Sequence, residues 1–361
     1  MLAVGMTAER TLDLTERHWW HGAVDLEPLP GGGARAWRVP FGDPRYQIGL
    51  LWDGTPAGVR IVLRTTARRV SLVLRTDRPD PSPVDVVVDR SLRERVPVVP
   101  PTAEHPDSGP AEPDPGTSGV VEVTAALPGT PTTVELWLPQ YGCSGVERLV
   151  IHDDPAPSPV DPRSRRWVTH GSSITMCRQA HGPSSAWPSR VANALDLELT
   201  NLGFGGQCLL DLPVALLIRD TPADLVSLCL GVNVHGHAGH TARTLLPAVM
   251  GFVETVLDGH PDVPVVVISP IAARPARDVP NRAGLTLTEV RDIVHDGVQR
   301  IVEATGVDNV HLVDGRDVLG EHQLDLLVDN VHPGDDGSAA MAGALTPILG
   351  GLLANDPVAA R

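Results

Sequence analysis

Arg166-Trp167-Val168-Thr169-His170-Gly171-Ser172-Ser173-Ile174-Thr175 is the stretch that decides the fold of the larger part of the chain. Residues of strand character, Arg166 to Thr169, run into a turn of small residues that ends on a serine. Downstream, β-branched or apolar runs recur at Glu198 to Asn201, Leu225 to Leu230, Val263 to Ser269 and Val310 to Val313. Segments with helical periodicity lie between and after them: Ser184 to Leu195, Asp211 to Arg219, Thr241 to Leu257, Thr286 to Thr305 and Gly334 to Leu353. Alternation of this kind predicts an α/β domain, a parallel sheet covered by helices on both faces. Thr286 and Glu289 predict a capping box for the fourth helix.

Upstream the pattern changes to short strands. Runs at Arg60 to Arg64, Val70 to Leu74, Val84 to Val88, Val120 to Val123 and Thr133 to Leu138, with turn residues between them, predict an antiparallel, jelly-roll-like β-sandwich. Between Val99 and Gly119 the chain is rich in Pro, Asp, Glu and Ser and too poor in apolar residues to pack, which predicts a mobile loop. A second Pro-rich stretch, Asp154 to Pro162, marks the change of pattern and reads as a short, semi-rigid linker. The expected organisation is therefore a β-sandwich over 1–155, a linker over 156–162 and an α/β domain over 163–361. At 361 residues the chain is long enough for two domains, each with its own core.

The chemistry begins at Ser173. A serine hydroxyl is a poor nucleophile at neutral pH and needs an imidazole to take its proton; the imidazole in turn needs an acceptor to fix its tautomer. Asp329-Asn330-Val331-His332-Pro333 offers both partners three residues apart. Two further segments, Asn201-Leu202-Gly203-Phe204-Gly205-Gly206 and Leu230-Gly231-Val232-Asn233, follow the second and third strands and can each place a hydrogen-bond donor where an oxyanion would form. Ser173, Gly206 and Asn233 thus all fall at carboxyl ends of strands, where open α/β sheets bind ligands. Alone, each short motif could be a turn or a loop before a helix; together and in this order they point to acyl transfer.

These four blocks resemble the GDSL family of the SGNH hydrolase superfamily, over roughly the last two hundred residues. The resemblance implies a three-layer α/β/α domain with a five-stranded parallel sheet, and it implies roles. Ser173 corresponds to the nucleophile and Asp329 with His332 to the closing Asp-x-x-His pair. The backbone N–H groups of Ser173 and Gly206 and the side-chain amide of Asn233 correspond to the oxyanion hole. Trp187-Pro188 also resembles a family feature and would line the pocket. Two positions depart from the pattern: Ser172 stands where the family has Asp, which bears on how the turn is braced, and Val234 stands where many members have Asp.

A formal charge of −15 without a single lysine makes a phosphate-tracking surface, and hence a nucleic-acid partner, unexpected. The four cysteines lack metal or redox spacing, the amino end lacks a signal-peptide pattern, and no run of about 18 uninterrupted apolar residues predicts a membrane span, so a cytoplasmic protein with reduced thiols and no membrane partner is expected. His235, His237 and His240 form His-x-His-x-x-His, but without a carboxylate at ligand spacing; no metal and no cofactor is expected, and these imidazoles either border the acyl or acceptor pocket or stand in solvent. Trp19, Trp20, Trp37, Trp52 and Trp137 are expected to fill the sandwich core or its contact with the α/β domain, or else to form a sugar-binding platform.

The expected activity is that of a serine esterase or O-acyltransferase, whose partners are a small-molecule acyl donor and water or an alcohol. The two-domain plan resembles both acyltransferases that tailor aromatic polyketides and two-domain carbohydrate O-acetyl esterases. A ligand-binding protein that has lost catalysis is the alternative of another class. Oligomeric state is not legible.

Overall fold

The computed structural model describes residues 9–46, 54–100, 119–154 and 156–354. It divides into two units: one of Met1–Phe41, Asp53–Pro162 and Gly182–Ser184, the other of Gly42–Trp52, Arg163–His181 and Ser185–Arg361. Two segments therefore belong to units other than their place in the sequence suggests. Residues 182–184 join the first unit, where the Asp85 carboxylate accepts from the Ser184 N–H at 3.0 Å and hydroxyl at 2.6 Å. Residues 42–46 are grouped with the second.

The first unit contains β1 (Glu9–Thr11), β2 (Trp20–His21), β3 (Asp25–Leu29), β4 (Gly33–Trp37), β5 (Arg60–Thr65), β6 (Arg69–Thr76), β7 (Val84–Val88), β8 (Ser91–Val96), β9 (Gly119–Ala126), β10 (Thr132–Trp137), β11 (Cys143–His152) and β12 (Ser158–Pro159). They form two antiparallel sheets, β3-β4-β11-β6-β9 with β1 on β11, and β12-β5-β10-β7-β8 with β2 on β5. Strand β9 explains the packing: Val121, Val123 and Ala125 are buried and alternate with exposed residues, as a half-buried strand must. Ile61, Leu63, Leu72, Leu74, Leu136 and Leu149 belong to the common core. Within the Pro-rich stretch, Ser158 and Pro159 pair with Arg64 and Leu63 of β5, so this part of the expected linker is an edge strand.

Trp19, Trp20 and Trp137 are buried, and Trp20 donates its indole N–H to Leu14 O at 2.8 Å. They pack inside rather than forming a platform, while Trp37 is half-buried under the Arg35 guanidinium. Trp52 lies outside the described residues, as do 101–118 of the expected loop.

The second unit contains β13 (Arg165–Gly171), α1 (Ser173–Met176), α2 (Trp187–Leu195), β14 (Leu197–Gly203), α3 (Leu212–Asp220), β15 (Leu225–Cys229), α4 (Val232–His237), α5 (Ala242–Gly259), β16 (Val265–Ile268), α6 (Leu287–Thr305), β17 (Val310–Val313), α7 (Gly315–Val318) and α8 (Asp335–Ala354). Its sheet is parallel, five-stranded and ordered β14-β13-β15-β16-β17. Strands β15 and β16 are apolar and largely buried because helices cover both faces. The capping box is present: Thr286 Oγ1 accepts from Glu289 N–H at 3.1 Å, and Glu289 Oε2 accepts from Thr286 N–H at 2.7 Å. Helix α8, 20 residues long with mean hydropathy 1.4 over an 18-residue window, is long and apolar enough to cross a membrane, but Met341, Leu345, Leu349 and Leu353 on it are buried within the unit.

The strand order has a consequence for the site. Strand β13, which leads into Ser173, has β14 on one side and β15 on the other, so the loops carrying Gly206 and Asn233 leave the sheet on either side of the Ser173 turn. Close approach of that turn to β14 depends on Gly203. A Cβ there would lie 2.4 Å from Met176 N and 2.7 Å from Thr175 C, both backbone atoms of α1. Asn201 ties the same contact, donating to Thr175 O at 3.1 Å and accepting from Gly203 N–H at 2.8 Å. Gly203→Ala should therefore displace α1, costing about 1–3 kcal/mol by denaturant titration and lowering ester turnover beyond what the lost stability explains.

Candidate active site

Ser173 is the first residue of α1, and Ser172 is its N-cap, with extended backbone and a side-chain oxygen that accepts the Ile174 N–H at 3.2 Å. Serine thus supplies a brace at the position where an aspartate was expected. The Ser173 hydroxyl lies 2.8 Å from His332 Nε2. On the other side of the ring, His332 Nδ1 lies 2.7 Å from Asp329 Oδ2. The remaining carboxylate oxygen, Asp329 Oδ1, accepts the N–H groups of Val331 and His332, both at 2.8 Å.

This geometry assigns the protons. Asp329 is an acceptor, so Nδ1 carries hydrogen toward it, and Nε2 is left to accept the Ser173 proton. Burial pushes the Asp329 carboxyl up, but the two N–H groups and the His332 ring outweigh it and bring the pKa below the usual carboxylate value. The ring and carboxylate are 30% and 47% exposed, so solvent and substrate can reach them.

The two residues expected as oxyanion donors lie on the flanking loops. Gly231, the N-cap of α4, has φ +110°, and a Cβ there would also meet Pro270 and Val290 at 2.9 Å. It starts the helix that carries Asn233. Asn233 Oδ1 accepts the Cys208 N–H at 3.0 Å, which fixes the amide and leaves Nδ2 as its donor end. Gly206 has φ +75° in a turn closed by the Gln207 N–H on Phe204 O at 3.1 Å. Its glycine requirement is conformational: a Cβ would find only His237 Nε2, at an ordinary 3.7 Å.

Ser173, His332 and Asp329 are therefore joined in one hydrogen-bonded line, and Gly206 and Asn233 sit on the loops flanking it. The three residues expected to line the pocket fare differently. His237 is exposed and stands beside Gly206. His235 is buried, with Nε2 3.0 Å from Val279 O, so it ties α4 to the 279–281 loop. Trp187 is fully buried and donates its indole N–H to Ile174 O at 3.0 Å, which props α1 from within the core. Its size and apolarity outcompeted any place at the surface. His240 Nε2 lies 3.4 Å from Leu209 O, and among the described residues no group of three or more His, Cys, Asp or Glu is placed to hold a metal ion.

Two supporting residues escaped the sequence reading. Asn201, which opens the second block but has no expected role of its own, ties α1 to β14, and Cys208 orients Asn233 through its backbone N–H, which no residue pattern reports. Cys208 is buried and Cys229 half-buried, and desolvation pushes both thiols up, that of Cys229 to about 12, so they stay protonated at neutral pH.

Residues 169–340 match the GDSL-like lipase/acylhydrolase family, and residues 18–144 match the family described as SsfX3, N-terminal domain. Among solved structures, the salicylyl-acyltransferase SsfX3 from a tetracycline biosynthetic pathway is 25% identical, with a TM-score of 0.80 over 97% of this chain and 99% of that one. A family two carbohydrate esterase from Cellvibrio japonicus is 16% identical, with a TM-score of 0.62 over 97% and 99%. The acetyl xylan esterase Est2A from the rumen bacterium Butyrivibrio proteoclasticus is 14% identical, with a TM-score of 0.56 over 82% and 90%. No curated protein matches the chain.

Asn233→Ala should lower kcat/KM by about 10²–10³-fold, the usual cost of a lost oxyanion donor, with near-UV circular dichroism unchanged; a loss below threefold would remove Asn233 from the reaction. Because the folded-state pKa of Asp329 is depressed, its contribution to stability is present above about pH 4 and is lost as pH falls through the folded value. Denaturant midpoints measured from pH 6 downward should therefore fall more steeply for the wild type than for Asp329→Asn.

Proposed function

From the premise that this chain is an enzyme of the GDSL family, with a GDSL-like lipase/acylhydrolase domain over residues 169–340, we propose that it transfers an acyl group through an ester on Ser173 to a hydroxyl of a small metabolite, with water as the competing acceptor. The observation that carries this reading is the unbroken line Ser173 Oγ, His332 Nε2, His332 Nδ1, Asp329 Oδ2, with contacts of 2.8 and 2.7 Å.

In the first half-reaction Ser173 Oγ attacks the carbonyl carbon of an acyl donor while its proton passes to His332 Nε2. The carbonyl oxygen becomes an oxyanion facing the N–H groups of Ser173 and Gly206 and the Asn233 amide. Asp329 holds the imidazolium, which then gives its proton to the leaving group, and the bond between that group and the carbonyl carbon breaks. In the second half an acceptor O–H loses its proton to His332, its oxygen attacks the acyl carbon, and Ser173 Oγ departs with the proton returned.

The reaction class follows from the serine line, and the choice of acceptor follows from water exclusion around the ester. Likeness to a salicylyl-acyltransferase along nearly the whole of both chains, including the unit that precedes the catalytic one, supports transfer to a small molecule. The carbohydrate esterases share the fold and at this identity lend no support to a sugar substrate. Retention of nucleophile, base, acid and both oxyanion candidates speaks against a binding protein without catalysis.

Ser173→Ala and His332→Ala should each abolish turnover of a short-chain p-nitrophenyl ester while keeping the wild-type unfolding midpoint. Wild-type rates in either variant would refute the assignment. Added alcohols should divert the acyl group from carboxylate to ester product; a product ratio that ignores alcohol concentration would make the enzyme a hydrolase.

A further inference from the structure

The loop that carries Asp329 and His332 has its N–H groups well accounted for. Asp329 Oδ1 takes those of Val331 and His332, and the Val328 N–H bonds His332 O at 2.9 Å. Its carbonyls turn the other way, and three of them meet one residue. Arg274 donates from Nε to Asp329 O at 3.0 Å, from Nη2 to Leu327 O at 3.2 Å, and from its own backbone N–H to Asn330 O at 3.0 Å.

We infer that Arg274 is a positioning residue for acyl transfer, a clamp whose guanidinium and backbone fix the Asp329–His332 loop so that the imidazole meets Ser173. The inference rests on the acyl-Ser173 reading. Two features of the surroundings suit Arg274 to this task. It follows β16 at the carboxyl end of the sheet, where the backbone is anchored by a turn in which the Arg277 N–H bonds Arg274 O at 2.8 Å. The preceding carbonyls are themselves held from the core: buried Arg291 of α6 donates from Nε to Pro270 O at 3.0 Å and from Nη2 to Ile271 O at 3.3 Å. The path from Arg291 of α6 through Pro270 and Ile271 to Arg274 and on to the loop thus ties an exposed catalytic segment to a buried side chain.

Geometry is the means by which Arg274 acts. A planar fork can hold the carbonyls of residues 327 and 329 together, whereas a lysine ammonium on a flexible stem can reach one at a time. A misplacement of about 1 Å in such a group costs about 10²-fold in rate, and because the loss falls on the chemical step it appears in kcat with KM nearly unchanged.

The test is steady-state kinetics on Arg274→Ala and Arg274→Lys, with the downfield proton resonance of His332 Nδ1–H followed by NMR and Ser173→Ala run beside them. Arg274→Ala should lose about 10²-fold in kcat with KM within about threefold and should lose or broaden the resonance. Added guanidinium should recover part of both, and Arg274→Lys should lose about tenfold. Wild-type kcat with an unchanged resonance in Arg274→Ala overturns the inference; if that variant does not fold, wild-type kcat in Arg274→Lys does so. An active Ser173→Ala would instead overturn the acyl-serine reading itself, whereas an inactive Ser173→Ala with a fully active Arg274→Ala would remove only the clamp.

Discussion

An imidazole takes a proton from a serine hydroxyl only while its far nitrogen is held by an acceptor, and in this protein that acceptor is three residues away on the same loop. Asp329 meets two demands at once. One oxygen faces the His332 ring, and the other closes the loop by accepting the N–H groups of Val331 and His332. The carboxylate that orients the base therefore also shapes the segment that carries it, and the hydrogen bonds that depress its pKa are the same ones that fold the turn. Such an acid and base need only one meeting with the rest of the site, the 2.8 Å contact to Ser173.

That meeting is prepared by the sheet. With β13 set between β14 and β15, the Ser173 turn and the loops of Gly206 and Asn233 emerge side by side. The absence of Cβ atoms at Gly171 and Gly203 lets α1 sit against its neighbours: at Gly171 a Cβ would be 2.2 Å from the Thr175 hydroxyl oxygen, and at Gly203 it would strike the α1 backbone. Ser172 caps the short helix, Trp187 holds it from below through Ile174 O, and Asn201 through Thr175 O. A helix of four residues has no stability of its own, so these contacts are what keep Ser173 in place.

Most of the second unit was legible in the sequence because its elements are long enough to show a period. All five strands and the helices α2, α3, α5, α6 and α8 lie where runs and spacing placed them, with ends shifted by a few residues. Helices α1, α4 and α7 were not read, since four to six residues carry no periodicity to detect. In the first unit β11 was missed for a different reason: register shifts at Cys143/Gly145 and Val146/Arg148 interrupt the alternation on which a strand reading depends. Among candidate site residues, pattern identified which side chains could serve but not which way they face. His235 and His237 are two positions apart on α4, yet one is buried against Val279 O and the other is exposed beside Gly206. Arg274 and Cys208 left no trace, because Arg274 meets backbone carbonyls and Cys208 acts through its own backbone N–H.

The measurement that tests the account most directly is peptide mass spectrometry of the enzyme quenched during turnover of p-nitrophenyl acetate. The account predicts a single acetyl group on the peptide containing Ser173, accumulating before steady state and absent when His332 is replaced by alanine. Turnover at full rate with no adduct, or with the acetyl group on another residue, would contradict it.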